Sequence, residues 1–149
     1  MKIIPNLIDV QLSYDDRGEL VHCNKFNFKK NKIKRFYQIS NHEINFVRAW
    51  HGHKREKKYI LILQGSLKLC TIKIDNWKNP SKNLKKSTFI LNEKNPQILF
   101  IPGGFVHGSQ NLNANTKFIV FSNFDINESL KDDYRYDSNF WGNWNIKHR

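Results

Sequence analysis

Hydrophobic residues along this chain recur mainly at every second position, which is the period of a half-buried β-strand. The segments that show it are rich in isoleucine, leucine, phenylalanine and valine and are bounded by glycine, proline or asparagine. They are KRFYQIS (34–40), KYILILQGSLKLCTIKI (58–74), KSTFIL (86–91), QILFIP (97–102) and TKFIVFS (116–122). Gly65 divides the second segment into a hairpin, and PGG at 102–104 indicates a turn. The pattern predicts an all-β protein, either a sandwich or a barrel.

A helical period is convincing nowhere in the sequence. INESLKDD (126–133) is expected to form a single helical turn, with Asn127 as the N-cap before Glu128. The chain has 149 residues and no internal repeat or linker, so we expect a single domain over residues 1–149. Apolar residues make up 39% of it, which is enough for a core without disulfides.

The formal net charge is +12, a feature shared with nucleic-acid-binding proteins. The lysines are scattered along the chain, so we interpret them as solvated surface charges and expect no nucleic-acid partner. A positive rim would still attract a diphosphate ligand. No apolar stretch approaches the ~20 residues of a membrane span, and the N-terminus lacks the pattern of a secretory signal. The expectation is a cytoplasmic protein with no membrane partner.

Two spaced motifs carry the candidate chemistry, HGHKREKKYILILQG (51–65) and PGGFVHGSQN (102–111). Their spacing resembles the paired motifs of the cupin superfamily. In metal cupins the first motif carries two histidines and a glutamate, and the second carries one histidine. Here Lys58 stands where the glutamate is expected. The resemblance implies a cupin double-stranded β-helix, or jelly-roll, barrel with a ligand at its mouth.

Lys58 argues against a metal centre in this frame. A protonated lysine is a cation with donors only, whereas a divalent cation needs neutral or anionic ligands. A lysine binds a metal only after deprotonation, which burial beside a cation permits at a cost. We therefore expect no metal and no other cofactor. The alternative is a three-histidine metal site of the kind a metal-dependent oxygenase uses, and metal analysis distinguishes the two.

The chain resembles the dTDP-4-dehydrorhamnose 3,5-epimerase family of sugar-nucleotide cupins over residues from about 15 to 145. DDRGEL (15–20) is similar to that family's D-x-R-G-x-F/L, RAWH (48–51) to its R-G-L-H, LFIPGGFVHG (99–108) to its W-I-P-x-G-F-A-H-G and YRYD (134–137) to its I-R-W-x-D. Lys58 falls on the family's lysine. The resemblance implies an isomerase of nucleotide-linked 4-keto-6-deoxyhexoses, used in deoxysugar and polysaccharide biosynthesis. A small barrel with many aromatic residues is also expected to form a homodimer.

The resemblance assigns a catalytic role to each matching residue. His51 would remove a proton alpha to the 4-keto group, and Asp137 would hold and polarise His51. Lys58 would stabilise the enolate oxygen. His53 joins this set because residues i and i+2 of a strand face the same side.

The same resemblance also implies ligand-binding arginines. A guanidinium group can donate two parallel hydrogen bonds, which suits the oxygens of a diphosphate. The expected substrate-binding residues are Arg48, Arg17, His107, Tyr37 and Gln38. Within the DDYRYD segment, Asp132 and Asp133 are alternatives to Asp137 as the carboxylate that holds His51.

Departures from the family pattern leave the reaction open. The family carries a tyrosine after the histidine of its H-G pair, as the acid on the opposite face of the sugar, and this chain has Val120 there. Tyr134 and Tyr136 are the candidates to replace that acid. The H-x-H-K sequence at 51–54 is closer to the sugar-nucleotide 3,4-ketoisomerases. Three alternatives follow. The first is a 3,5-epimerase-like enzyme that inverts both centres or only one of them. The others are a 3,4-ketoisomerase and a non-catalytic sugar-nucleotide-binding cupin.

Overall fold

The computed structural model describes residues 3–142 and 144. Nearly all of its regular structure is β-strand, and every strand pairing is antiparallel. The strands are β1 (Asn6–Asp9), β2 (Gln11–Asp15), β3 (Gly18–His22), β4 (Arg35–Asn41), β5 (Val47–His53), β6 (Lys58–Gln64), β7 (Ser66–Lys73), β8 (Lys86–Asn92), β9 (Gln97–Ile101), β10 (Phe105–Asn111), β11 (Thr116–Ser122) and β12 (Tyr134–Arg135). A short helix, α1 (Ile126–Leu130), follows β11. The all-β prediction is confirmed.

Two five-stranded sheets form the body of the protein. The first has the order β1-β9-β6-β11-β4, and the second has the order β12-β5-β10-β7-β8. The strands β2 and β3 form a separate hairpin. Because β5 and β6, and likewise β10 and β11, lie in different sheets, the chain crosses repeatedly from one sheet to the other. This connectivity gives the jelly-roll barrel that the paired motifs predicted.

The main core lies between the two sheets and is built from the inward-facing members of each alternating strand. Its buried side chains are Ile60, Ile62, Leu67, Leu69, Leu91, Leu99, Ile101, Phe105, Phe118 and Val120. Each such side chain contributes about 1.5–3 kcal/mol when it leaves water. This core fills one part of the barrel and leaves the part beside the β5–β6 connection open.

A second cluster covers the outer face of the second sheet. Trp50, Ile72 and Val106 point outward from their strands and are buried under Trp141 and Trp144. The indole nitrogens of Trp50 and Trp144 both donate to the backbone oxygen of Ser138 in the C-terminal segment, at 3.1 and 2.9 Å. The C-terminal segment is thereby fixed against the sheet, which explains why β12 can pair with β5.

Some elements differ from the sequence expectation. The N-cap of α1 is Asp125, not Asn127, and it forms a capping box with Glu128. The alternation of apolar residues did not identify β1, β2, β3, β5, β10 or β12. In β10 the reason is that the inward positions after Phe105 are polar. Among the described residues no helix is long and apolar enough to cross a membrane.

Candidate active site

A cavity of about 350 Å³ lies between the two sheets, beside the β5–β6 connection. Both sheets and α1 contribute to its wall. The lining side chains that can carry charge or transfer a proton are Arg35, Tyr37, Arg48, His51, His53, Lys58, His107, Asp133 and Arg135. Its size suits a small organic ligand.

Three histidines border this cavity. His51 and His53 lie two positions apart on β5, so both point to the same side of the sheet. His107 lies opposite His51 in the register of β5 and β10. Its ring centroid is 6.0 Å from that of His51 and 5.9 Å from that of His53. Burial, followed by the charge of Lys58, holds the pKa of His107 well below its usual value. The two sequence motifs therefore meet in a single cavity.

His53 is buried, and its neighbours fix its protonation site. Nδ1 lies 2.8 Å from the backbone oxygen of Asp132 and 3.0 Å from Oε2 of Glu56. A carbonyl and an ionised carboxylate only accept hydrogen bonds, so Nδ1 carries the proton and donates it. In the neutral ring the lone pair is then on Nε2, and this nitrogen has no hydrogen-bond partner within residues 3–142 and 144. This is the state of a ring that can accept a proton from a ligand.

Glu56, in the loop between β5 and β6, supplies that carboxylate and is 1% exposed. The hydroxyl groups of Ser122 and Ser129 donate to it at 2.6 and 2.8 Å. Burial alone would raise the pKa of Glu56. The hydrogen bond from His53 and the charge of Lys58 outweigh burial and lower this pKa to about 2. Glu56 is therefore an anion at neutral pH.

Glu56 stands in the charged run KREKK, where a single glutamate is typical of a solvated surface, so this run does not indicate its role. The available signal was its spacing, three residues after His53. Asp132, an expected rival for the carboxylate, is 2% exposed and has a structural contact instead. It accepts hydrogen bonds at 3.1, 2.8 and 2.9 Å from the backbone N–H groups of residues 54–56. Asp132 therefore holds the loop that carries Glu56.

His51 is half-buried, and Nη1 of Arg135 lies 3.5 Å from its Nε2. Burial, followed by the charges of Arg135 and Lys58, lowers the pKa of His51 to about 4. The imidazole is consequently neutral at neutral pH and able to take up a proton.

Lys58 begins β6, is 7% exposed and points into the cavity. Its Nζ lies 4.0 Å from Oε2 of Glu56 and 6.0 Å from the centroid of the Tyr37 ring. Burial lowers the pKa of Lys58 to about 8, against the opposing charge of Glu56. The lysine is therefore mainly a cation at neutral pH, in contact with the space that a ligand would fill.

The structure does not bring Asp137 to His51. The strand β12 ends at Arg135, and the chain turns at Asp137, whose carboxylate accepts a hydrogen bond from the backbone N–H of Asn139 at 2.8 Å. Asp137 is exposed and lies outside the cavity. Asp133 is the acidic residue of this segment that borders the cavity, and it pairs with Arg135 at 2.9 Å. The expected His51–Asp137 pair is therefore not formed.

The expected ligand-binding residues separate into two groups. Arg48, Tyr37 and His107 border the cavity. Gln38 does not, because it follows Tyr37 on β4 and so points to the outer face of the first sheet. Arg17 lies in the turn between β2 and β3 with 85% of its side chain exposed, where it pairs with an aspartate two residues earlier. Within one chain, neither Gln38 nor Arg17 reaches the cavity.

Val120 borders the cavity at the position where the resembled family has its acid. The ring of Tyr134 packs on the ring of Trp77, with 4.7 Å between the ring centroids. The hydroxyl of Tyr136 donates to the backbone oxygen of Trp77 at 2.8 Å. Neither tyrosine therefore enters the cavity. Tyr37 does, from the position directly opposite Val120 in the register of β4 and β11. Burial raises the pKa of Tyr37 to about 12, so its phenol stays protonated.

The two antiparallel sheets, between which the chain crosses repeatedly, and the cavity that they enclose define a cupin-type jelly-roll barrel. The family model described as "FdtA: WxcM-like, C-terminal" matches residues 4–143. The chain belongs to this family.

Solved structures with the same fold come from several organisms. A 3,4-ketoisomerase from Helicobacter canadensis is 23% identical, with a TM-score of 0.66 and coverage of 92% of this chain and 94% of that chain. The sugar 3,4-ketoisomerase QdtA from Thermoanaerobacterium thermosaccharolyticum, in complex with TDP, is 20% identical, with a TM-score of 0.68 and coverage of 95% and 94%. The rmlC epimerase of Mycobacterium tuberculosis is 13% identical, with a TM-score of 0.77 and coverage of 94% and 74%. At these identities the likeness establishes the fold. No curated protein matches the chain significantly.

The cavity chemistry is unfavourable to a metal ion. The described part of the chain contains no group of at least three histidine, cysteine, aspartate or glutamate side chains arranged to hold one. Lys58 also places a positive charge beside the histidines, and this charge would repel a divalent cation. We predict that elemental analysis of protein purified without chelator will find iron, zinc and manganese far below stoichiometric amounts. A stoichiometric metal that disappears in His107→Ala would contradict this expectation.

Proposed function

We propose that this protein is an isomerase of a nucleotide-linked 4-keto-6-deoxyhexose, and that it shifts the ketone to the neighbouring ring carbon. The observation that carries the proposal is the pair of histidines on one face of β5. His51 is neutral at neutral pH, and His53 offers an unpaired Nε2 to the same cavity. The names of solved relatives support it, since QdtA is a sugar 3,4-ketoisomerase whose H51N mutant was solved with TDP-4-keto-6-deoxyglucose.

Two histidines on one side of the ring suffice for a ketone shift. His51 removes the proton from C3, and the electron pair of the broken C–H bond forms a C3–C4 double bond and an oxyanion at O4. The proton on His51 then passes to O4. His53 takes the proton of the C3 hydroxyl at Nε2 and delivers it to C4, which leaves the ketone at C3. The atoms and charges of substrate and product balance without a redox partner.

The cation at Lys58 supplies what the intermediate needs. An oxyanion at O4 is stabilised by a preorganised positive donor in a site shielded from water. Lys58 is buried and borders the cavity together with both histidines. A non-catalytic binding protein has no need of a buried lysine beside a histidine of fixed tautomer, and this favours an enzyme.

The arginines of the cavity fit the diphosphate of a sugar nucleotide. Arg35, Arg48 and Arg135 all border it, and the whole chain carries a net charge of +12. Arginine binds phosphate oxygens through paired N–H donors. We place the diphosphate beside these residues and the hexose beside the histidines.

An epimerase is the second candidate, and Tyr37 is the observation that favours it. Inversion of a ring carbon needs a proton donor on the face opposite the base. Tyr37 borders the cavity from the first sheet, beside Val120 on the neighbouring strand, whereas the histidines belong to the second sheet, and the phenol of Tyr37 stays protonated. Solved relatives of this fold include dTDP-4-dehydrorhamnose 3,5-epimerases, among them one from Bacillus anthracis with TDP and PPi bound.

Deuterium exchange tests which reaction occurs. In deuterium oxide with dTDP-4-keto-6-deoxyglucose, we predict by NMR that deuterium enters C3 of the substrate and C4 of a 3-keto product, while C5 keeps its proton. His51→Asn should slow this exchange by about 10²–10⁴-fold, because a positioned base is lost.

The same experiment separates the alternatives. Deuterium at both C3 and C5 with inversion would favour the epimerase, and Tyr37→Phe should then abolish the inversion. Binding of the nucleotide sugar without exchange at any carbon would contradict both enzymatic proposals and favour a binding protein.

The activity should depend on pH in a bell-shaped manner. The base His51 must be neutral, so activity should rise as the pH passes its pKa of about 4. Lys58 must be charged, so activity should fall as the pH passes its pKa of about 8. Lys58→Met should lower kcat by orders of magnitude and remove the alkaline limb, while Lys57→Met, whose side chain lies outside the cavity, should leave the profile unchanged. An alkaline limb that persists in Lys58→Met would contradict the role of this lysine.

We also propose that two copies of the chain pair as a homodimer. Phe36 is 68% exposed on the outer face of the first sheet, and Leu20 is 61% exposed on the β2–β3 hairpin. A two-stranded hairpin alone is marginally stable in water, so it needs a surface to pack on. Light scattering should give the mass of a dimer, and Phe36→Asp should weaken the dimer while Ile90→Asp, on the second sheet, does not. A monomer at micromolar concentration would exclude the dimer.

A further inference from the structure

Glu56 is a buried charge that the proposed ketone shift does not use directly. Its side chain is fully buried, and its two oxygens are occupied by groups from separate parts of the fold. Ser122 at the end of β11 and Arg35 at the start of β4 contact Oε1, at 2.6 and 3.4 Å. Ser129 of α1 and His53 contact Oε2, at 2.8 and 3.0 Å.

Such a residue is poorly explained by stability alone. Taking a carboxylate out of water is costly, and well-packed apolar side chains often stabilise a fold as well as or better than a buried ionic group. Every contact of Glu56 is a hydrogen bond or an opposite charge, so the site holds the carboxylate in its ionised form. An ionised group that stays buried at such a cost indicates that its negative charge has a function.

The contact with His53 identifies that function. The carboxylate accepts from Nδ1, on the side of the ring away from the unpaired Nε2. Together with the backbone oxygen of Asp132, which lies 2.8 Å from the same nitrogen, it fixes the tautomer in which Nε2 is the proton acceptor. When Nε2 takes up a proton the ring becomes a cation, and the negative charge of Glu56 then lies 3.0 Å from it. Two opposite charges at this distance attract each other.

We propose that Glu56 is the positioning residue of His53, which fixes its reactive tautomer and stabilises it in its charged form. The proposal rests on the proposed ketone shift, in which His53 carries a proton from O3 to C4. Glu56 does not border the cavity, so any effect on the substrate passes through the side chains that it contacts, and the role proposed here is the one exerted through His53.

NMR of the histidine side chains tests the tautomer without any substrate. The ¹⁵N shifts of the His53 ring, assigned by comparison with His53→Asn, should show a proton on Nδ1 and a lone pair on Nε2 in the wild-type protein. Glu56→Gln keeps the shape but replaces an acceptor by an amide that can donate to Nδ1. A second population with the proton on Nε2 should then appear. Since this readout needs no turnover, it remains valid if the proposed substrate is wrong.

Kinetics test the consequence for the reaction. Glu56→Gln should lower kcat by up to about 10²–10⁴-fold, the contribution of a positioned acid–base group, with little change in KM. Ser122→Ala is the matched control, because it removes another buried hydrogen bond to the same carboxylate without touching His53. It should lower the melting temperature but keep the wild-type tautomer and kcat.

The role proposed for Glu56 would be contradicted by the following results. A proton on Nε2 of His53 in the wild-type protein would overturn it whatever the variants do. A folded Glu56→Gln with wild-type kcat and an unchanged tautomer would overturn it as well. If Glu56→Gln does not fold, Glu56→Asp is the second variant, since it keeps the charge on a shorter side chain. It should show the change of tautomer and the loss of kcat in weaker form. Wild-type values of this variant in both measurements would count against the proposal.

Discussion

The arrangement of the cavity depends on one buried carboxylate. Glu56 joins the end of β5, the end of β11 and the helix α1 through hydrogen bonds from His53, Ser122 and Ser129. Without it, the buried hydroxyl of Ser129 would lose its acceptor, at a cost of about 1–3 kcal/mol, and Ser122 and His53 would each keep one backbone acceptor. Its negative charge also offsets the burial of Lys58, whose pKa of about 8 would otherwise lie lower. The loop that carries Glu56 thus sets both the tautomer of one histidine and the charge of the lysine.

Strand geometry accounts for the rest of the site. The alternation of side chains along β5 places His51 and His53 in the cavity and Trp50 in the outer aromatic cluster. The same alternation on β4 places Tyr37 inside and Gln38 outside. A barrel of this kind supplies proton-transfer groups in rows that follow its strands. The reaction then depends on which residues occupy these positions. Here two histidines lie on β5 of the second sheet, and a valine and a tyrosine lie side by side on β11 and β4 of the first sheet.

Much of the fold was predictable because strands with one buried face have a strict period of two. The hydrophobic alternation located β4, β6, β7, β8, β9 and β11, and the spacing of the motifs identified the cupin barrel. The elements it missed have physical reasons. The hairpin β2–β3 is exposed on both faces, so it carries no alternation. The inward positions of β10 are polar because they line a cavity instead of filling a core.

The direction of a site residue was predictable from the sequence where strand parity applies, as it does for His51 and His53 on β5. Lys58 lies beyond the 54–57 loop on a strand of the other sheet, and the family resemblance indicated it instead. The direction of Asp137 was not predictable, because the chain turns there and strand parity no longer applies. Arg135, two residues earlier, does reach His51. Glu56 was hidden for a different reason, since its burial depends on partners 66 and 73 residues away in the sequence. No local pattern reveals contacts of that range.

The most direct test of the account is the crystal structure of His51→Asn with a nucleotide-linked 4-keto-6-deoxyhexose bound. If the proposed ketone shift is correct, C3 and C4 of the hexose will face β5, with the C3 hydroxyl within hydrogen-bonding distance of Nε2 of His53. The ketone oxygen will then lie beside Nζ of Lys58, and the diphosphate beside the arginines. A hexose that presents C5 to residue 51 with Tyr37 on its opposite face, or one that lies away from His53, would contradict the central claim.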